Sequence, residues 1–382
     1  MRDSLLGRDI RSIVAFKLRN IGDVLLSTPA FHALRGAFPG ARIAAVVNEG
    51  TQDMLSGNPD IDRILAFRRK EKDAGGKRRF GEELVLLREI RSLRADVAIN
   101  FTEGDRGATL SLLSGARYRV GVASARRGLW GKEMLYTHLS PRPDLYRHQV
   151  RKDLDVLAAA GIPPGDLSLR FHITEKEGEE SRRKLSAAGV PGGAPYAVVQ
   201  PTSRWTFKCW TEEGMAGVVA HLSREGVFPV VTSGPDPAEI ALANRVADLS
   251  DSPCAVLAGN LGLKELGAAI APARLFVGVD SAPMHIAAAV GTPVVALFGP
   301  TGAFNWAPWE GIDWEYAPER PAGTRRVGRH AVVQRESDRP PPGYGGKGKG
   351  ISMEEITLGQ VAEEIDRILG RGGERKGPVE CA

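Results

Sequence analysis

The segment FVGVDSAPMHIAAAVGTPVVALFGPT, residues 276–301, decides the fold class. An apolar strand runs to Asp280, Ser281 stands where a helix cap is expected, and a helix follows through residues 283–290. Gly291-Thr292-Pro293 ends that helix, and the next apolar strand runs to Gly299. This is a βαβ unit, the building block of a parallel sheet flanked by helices.

The same alternation extends outward in both directions. Residues 12–18, 42–47, 61–67, 96–101 and 118–122 read as strands, with helical spacing between them over 24–38 and 80–93. The pattern loosens at 175–195, where a polar helix gives way to a Pro/Gly stretch, and restarts with strands at 196–200, 229–232, 254–257, 275–280 and 293–298. At 382 residues the chain exceeds one ordinary core. Two α/β domains are therefore expected, at 1–185 and 186–350. Residues 319–350, rich in Pro, Gly and basic side chains, read as a long loop. A closing amphipathic helix at 351–370 and a disordered tail at 371–382 complete the expectation.

Composition removes several function classes. Apolar content of 42% and charged content of 25% are those of a soluble globular protein. No apolar run reaches the roughly eighteen residues of a membrane span. The opening residues MRDSLLGRDIRS carry charge throughout, so no secretory leader is expected. Cys209, Cys254 and Cys381 are odd in number and far apart, which argues against a zinc site or a disulfide framework and fits a reducing compartment. The net charge of +5 suits anionic partners without selecting one. Residues 343–350, GYGGKGKG, imitate a P-loop, but Gly350 stands in place of the magnesium-binding hydroxyl and no strand precedes it. No G-x-G-x-x-G follows a strand, which weakens a dinucleotide oxidoreductase.

In open parallel sheets, ligands bind beyond the carboxyl ends of the strands. Four polar clusters fall there. The first is Asn20, Gly22 and Asp23, where Asp23 either caps a helix beginning near Val24 or acts as a base. The second is QPTSRWTFKCW, residues 200–210, where Thr202, Ser203 and Lys208 are parts of a phosphate site or of a polar surface loop. The third is TSGPDPAEI, residues 232–240, whose Glu239 can accept from a ribose diol or simply favour a helix N-terminus. The fourth gathers Asp280, Ser281 and His285 around one helix start, which itself attracts anions.

Taken together, NIGDVLLSTPA at 20–30, the Ser203–Trp210 loop, GVDSAPMHIAAA at 278–289 and GTPVVALFGPT at 291–301 resemble glycosyltransferase family nine, the heptosyltransferases of lipopolysaccharide core synthesis. The Asp-Ser-Ala-Pro-Met-His wording and Trp306 are most similar to the members called heptosyltransferase III; the cysteine-free stretch 319–350 departs from them. The resemblance implies a GT-B fold of two Rossmann-like domains facing across a cleft, with the closing helix crossing back to the N-terminal domain. It implies inverting, metal-independent transfer with no cofactor, from ADP-L-glycero-β-D-manno-heptose to an inner-core heptose. By motif, Asp23 matches the general base, Lys208 the lysine on the donor phosphates and Asp280 the acid at the donor sugar. Thr202, Ser203, Ser281 and His285 match the donor loops, and Glu239 the ribose acid. Asn20 is expected on the acceptor side, and Arg68, Arg69 and Arg126 belong either to basic loops that meet the acceptor or the anionic leaflet or to loops that are simply solvated.

The acceptor so implied is anionic and lipid-anchored. A cytoplasmic enzyme touching the inner membrane surface peripherally is expected, with no nucleic-acid partner. Three rival readings share the architecture: a transferase using another nucleotide sugar for a different cell-surface glycan, a sugar-nucleotide epimerase, and a non-catalytic sugar-nucleotide-binding protein.

Overall fold

A computed structural model of the chain describes residues 4–67, 76–123, 128–144, 146–313, 323–335 and 353–371. The chain divides into two compact units, Met1–His172 and Ile173–Ala382. Among the described residues no helix is long and apolar enough to cross a membrane.

The first unit holds six strands: β1 (Ser12–Lys17), β2 (Arg42–Asn48), β3 (Arg63–Phe67), β4 (Val97–Asn100), β5 (Tyr118–Val122) and β6 (His138–Ser140). They form one parallel sheet in the order β3-β2-β1-β4-β5-β6. Its helices are α1 (Ile21–Leu25), α2 (Thr28–Ala37), α3 (Gly76–Ser92), α4 (Asp105–Leu113) and α5 (Gln149–Ala158). The strand order reverses between β1 and β4, the place where such sheets bind ligands. Every residue of β1 is buried, which is why the strand reads as a continuous apolar run rather than an alternating one. On one face Val14, Phe16, Val46, Leu65, Leu86 and Ile90 form a common core.

The single helix expected over 24–38 is two helices. Pro29 has no N–H to offer the carbonyl of Leu25, so the ladder stops there. The Thr28 hydroxyl donates to that carbonyl instead, at 2.9 Å, and Ser27 Oγ donates to the Val24 carbonyl at 2.7 Å.

The second unit repeats the plan. Its strands are β7 (Tyr196–Gln200), β8 (Phe228–Ser233), β9 (Ala255–Ala258), β10 (Leu275–Val279), β11 (Val294–Phe298), β12 (Arg325–Val327) and β13 (His330–Gln334). The order is β12-β13-β11-β10-β7-β8-β9, parallel throughout except for the antiparallel edge strand β12. Its helices are α6 (Glu175–Ala187), α7 (Glu212–Arg224), α8 (Pro237–Leu249), α9 (Leu263–Ile270), α10 (Ala282–Ala289), α11 (Ala303–Trp306) and α12 (Leu358–Ile368). The reversal point lies between β7 and β10. Side-chain caps start the helices that frame it: Thr211 accepts from Gly214 N at 3.1 Å, and Asp236 from Ala238 N at 2.8 Å.

Three expectations are corrected. The division falls at 172/173 rather than 185/186, because α6 packs on α9 and β9 of the second unit. The stretch 319–350 is not wholly a loop: β12 and β13 lie in it, and β13 is buried end to end. The closing helix was expected on the N-terminal domain. It instead buries Val361 and Ile365 in the second unit's own core with Trp210, Met215 and Val333, and Arg326 of β12 pairs bidentately with Glu364.

Candidate active site

In the second unit the carboxyl ends of β7, β8, β10 and β11 present the expected donor residues. Lys208 Nζ donates to Asp280 Oδ2 at 2.6 Å and lies 4.9 Å from the centre of the Trp205 ring. The same Asp280 oxygen accepts from the Thr301 hydroxyl at 2.7 Å. Asp280 directly follows β10, Lys208 closes a short turn after β7, and Thr301 follows β11. Three neighbouring strands thus meet in one buried carboxylate. An ammonium carries three protons, so Lys208 can hold Asp280 and still present donors to a diphosphate.

At the start of α10, Ser281 occupies the cap position, but its hydroxyl makes no capping bond. Ser281 Oγ and His285 Nδ1 are both buried without a hydrogen-bond partner among the described residues. Burial pushes the His285 imidazole down to about 4, against the attraction of Asp280 and with help from Lys208. It is neutral at physiological pH, so one ring nitrogen accepts and the other donates.

A second cluster runs from sheet to helix. Thr232 donates to Gln200 Oε1 at 2.7 Å, Gln200 Nε2 to Thr202 Oγ1 at 2.8 Å, and the Thr202 hydroxyl to Glu239 Oε2 at 2.7 Å. Gly234 N also donates to Glu239, at 3.3 Å. A Cβ at position 234 would stand 3.0 Å from that carboxylate, so glycine is what lets the backbone approach it. Thr202 therefore fixes Glu239, while the Ser203 hydroxyl accepts from Trp205 N at 3.4 Å.

In the first unit Asp23 is 7% exposed. The helix begins at Ile21, earlier than expected, so Asn20 and not Asp23 holds the cap position. Asp23 sits one turn in and accepts the Asn20 backbone N–H at 3.3 Å, the reciprocal arm of a capping box. The two readings of Asp23 are compatible, since that bond uses one carboxylate oxygen. Sequence reasoning missed what lies beneath it. Lys17, the last residue of β1, pairs with Asp153 of α5 at 2.6 Å, both side chains only 1% exposed. Gln149 Nε2 also donates to Asp153, at 2.9 Å. Burial lifts the Asp153 carboxyl to about 6 despite Lys17, and the negative charge of Asp23 adds to the push. Nothing local in the sequence marks this pair; a lysine closing a fully buried strand is the one signal.

Beyond the ends of β1, β2 and β4 lies a cavity of about 320 Å³ whose lining includes Arg19, Asn48, Thr102, Glu103, Arg106 and Lys132. Lys132 Nζ donates to the Glu103 carbonyl and to Asp105 Oδ1, each at 2.9 Å. The Arg106 guanidinium stacks 4.5 Å from the Phe67 ring centre and reaches Glu83 at 3.2 Å. At its floor, Gly107 leaves room for Asn100, whose Oδ1 would stand 2.3 Å from a Cβ there. Such mixed charge and amide chemistry suits hydroxyl-rich ligands. Of the residues expected on the acceptor side, Asn20 is exposed at the start of α1, and Arg68, Arg69 and Arg126 lie outside the described residues.

Comparison with known proteins identifies the family. The model of glycosyltransferase family 9 (heptosyltransferase) matches residues 84–315. Lipopolysaccharide heptosyltransferase 3 of Escherichia coli is 35% identical over 295 residues, 76% of this chain and 84% of that protein. A family 9 glycosyltransferase from Veillonella parvula superposes with a TM-score of 0.75 at 22% identity, over 97% of this chain and 98% of its own. The E. coli heptosyltransferase WaaC, solved with ADP-2-deoxy-2-fluoro heptose, gives 0.66 at 20% identity over 93% and 99%. Those likenesses carry the two Rossmann-like domains of the GT-B fold. The chain belongs to glycosyltransferase family 9, the heptosyltransferases.

Proposed function

We propose that this protein transfers heptose from ADP-L-glycero-β-D-manno-heptose to a heptose of a lipopolysaccharide inner core, inverting the anomeric centre without a metal ion. The reading is supported by E. coli heptosyltransferase 3, named for lipopolysaccharide, and by WaaC, solved with an ADP-heptose analogue. The single observation that carries it is the meeting of Lys208, Thr301 and Asp280 at the reversal point of the second sheet.

The chemistry is a direct displacement. An acceptor hydroxyl attacks C1 of the donor heptose as the bond from C1 to the β-phosphate oxygen breaks. The bonding pair leaves with ADP, and the hydroxyl proton passes to Asp23. Lys208 supplies positive charge to the departing diphosphate, and the start of α10 adds the partial charge of its unpaired N–H groups. That donor set does the work a divalent cation does elsewhere. Neutral His285 and Ser281 offer donors and acceptors to the donor, Asp280 orients Lys208, and Glu239, fixed by Thr202, takes the ribose hydroxyls. The cavity beyond the ends of β1, β2 and β4 receives the acceptor sugar, its cations meeting the acceptor's acidic groups.

The deciding experiment measures ADP release from ADP-heptose with and without a heptosylated Kdo–lipid A acceptor, in buffer containing EDTA. Acceptor-dependent release that disappears in Asp23→Ala, with ADP binding retained, is expected. Release without acceptor, or dependence on an added divalent ion, would overturn the reading. So would silence with ADP-heptose but turnover of another nucleotide sugar.

A further inference from the structure

The turn that follows the acceptor cavity exposes three large apolar side chains within six residues. Trp130 is 95% exposed, Met134 83% and Leu129 54%. A tryptophan left almost wholly in water is unusual, because its ring carries a large apolar area and a polar N–H best satisfied at a boundary.

The turn is firmly mounted. Asp105, at the start of α4, accepts from the Leu129 backbone N–H and from Lys132 Nζ. Gly128 passes so close that a Cβ there would stand 2.4 Å from Asp105 Oδ1. Gly131 takes a left-handed conformation with φ of 75°, and Met134 N closes the short helix Lys132–Leu135 onto its carbonyl at 2.9 Å. Lys132, 8% exposed, lines the cavity, so the apolar tip and the cavity share one anchored support.

The unit that carries this tip is strongly basic. Met1–His172 contains 29 basic and 20 acidic residues, a net +9, whereas the remainder contains 22 and 26, a net −4. The whole excess of positive charge therefore lies in the unit that carries the exposed turn, which favours an anionic surface as its partner.

We propose that Leu129, Trp130 and Met134 form a docking tip that inserts into the interface of an anionic lipid bilayer. The tip holds the neighbouring cavity at headgroup level, where a lipid-anchored sugar is presented. Tryptophan prefers that depth, and methionine and leucine add apolar area below it. The idea deepens the functional reading, since it takes from it a lipid-anchored acceptor.

The test is flotation of the full chain with vesicles of phosphatidylglycerol and phosphatidylethanolamine, and with phosphatidylcholine vesicles, without donor or acceptor. Wild type should float with the anionic vesicles and scarcely with the neutral ones. Trp130→Ser should weaken that binding several-fold, and the triple Leu129→Ser, Trp130→Ser, Met134→Ser variant about tenfold or more. ADP affinity and Tm should not change. Equal flotation of wild type and triple variant, or no flotation of wild type, overturns the proposal. So does a self-association of wild type that the triple variant abolishes, which would make a second copy the occupant. Because no substrate is present, a failed transferase reading leaves this result standing, and the converse holds too.

Discussion

Lys208 and Asp280, 72 residues apart in sequence, meet at 2.6 Å in the second unit, and Thr301 completes the contact on the same carboxylate oxygen. The lysine that should stabilise a departing diphosphate is therefore aimed by the acid beside it. Replacing Lys208 with Ala should lower kcat for ADP-heptose by about 10² to 10³, the usual loss when one preorganised donor to a developing anion is removed. Asp280→Asn should also lower kcat, because an uncharged amide holds Lys208 less firmly than the carboxylate does. Steady-state ADP release for both variants checks this. Wild-type kcat in Lys208→Ala would move the phosphate site elsewhere.

Asp23 makes the capping-box bond and is the proposed base, and substitutions can separate the two roles. An asparagine can still accept the Asn20 N–H through its amide oxygen, but it cannot take a proton. Asp23→Asn should therefore keep its Tm and lose about 10² to 10⁴ in kcat, the range for a positioned general base. Asp23→Ala should lose the same activity and, in addition, about 1 kcal/mol of stability with the capping bond. Both are read from paired thermal melts and ADP-release assays. Retained activity in Asp23→Asn would leave Asp23 as a capping residue only.

The parts legible in the sequence were those with local causes. Strands such as Tyr118–Val122 and Tyr196–Gln200 are bounded as expected, because buried parallel strands read as unbroken apolar runs between turn residues. Asp280, Ser281 and His285 sit together because a strand end and one helical turn place them there. Strand β13, HAVVQ, was hidden by its surroundings: the Pro, Gly and basic residues around it carry the signature of a loop. It is a strand because Gly328, at φ of 54°, turns the chain so that Arg325–Val327 pairs back on it. Thr301 lay inside a quoted motif without a role, since only the sheet order brings β11 beside β10. The Lys17–Asp153 pair, 136 residues apart, is signalled only by a lysine closing a buried strand, and nothing in the sequence names its partner.

That pair makes its own prediction. Lys17→Met leaves a buried carboxylate without its partner and should cost about 3 to 5 kcal/mol, whereas Lys17→Met with Asp153→Leu should recover most of the loss. Urea unfolding of both variants and of wild type measures the difference. Activity should not recover in the double variant if the pair positions Asp23, because β1 then ends without its ionic tie to α5. Recovery of stability and kcat together would make the pair purely structural.

The acid limb of stability follows from two buried histidines. His285 and His330 are each held down to about 4 by burial, below the ordinary value near 6.5 that an unfolded chain shows. Between those values the unfolded chain binds protons that the folded one refuses. Their contribution is therefore complete above about pH 6.5 and is lost as pH falls toward 4, by roughly 3 kcal/mol for each group. Asp153 works in the opposite sense, since its raised carboxyl favours the folded state as pH falls from about 6 toward its unfolded value near 4. Two groups outweigh one, so stability in urea should decline from pH 6.5 to 4. His330→Phe, which removes one of the two titrations without opening a large cavity, should make that decline shallower. An unchanged slope in that variant would show that His330 is protonated in the folded protein, with Glu310, whose Oε2 lies 3.7 Å from its Nε2, as the stabilising charge.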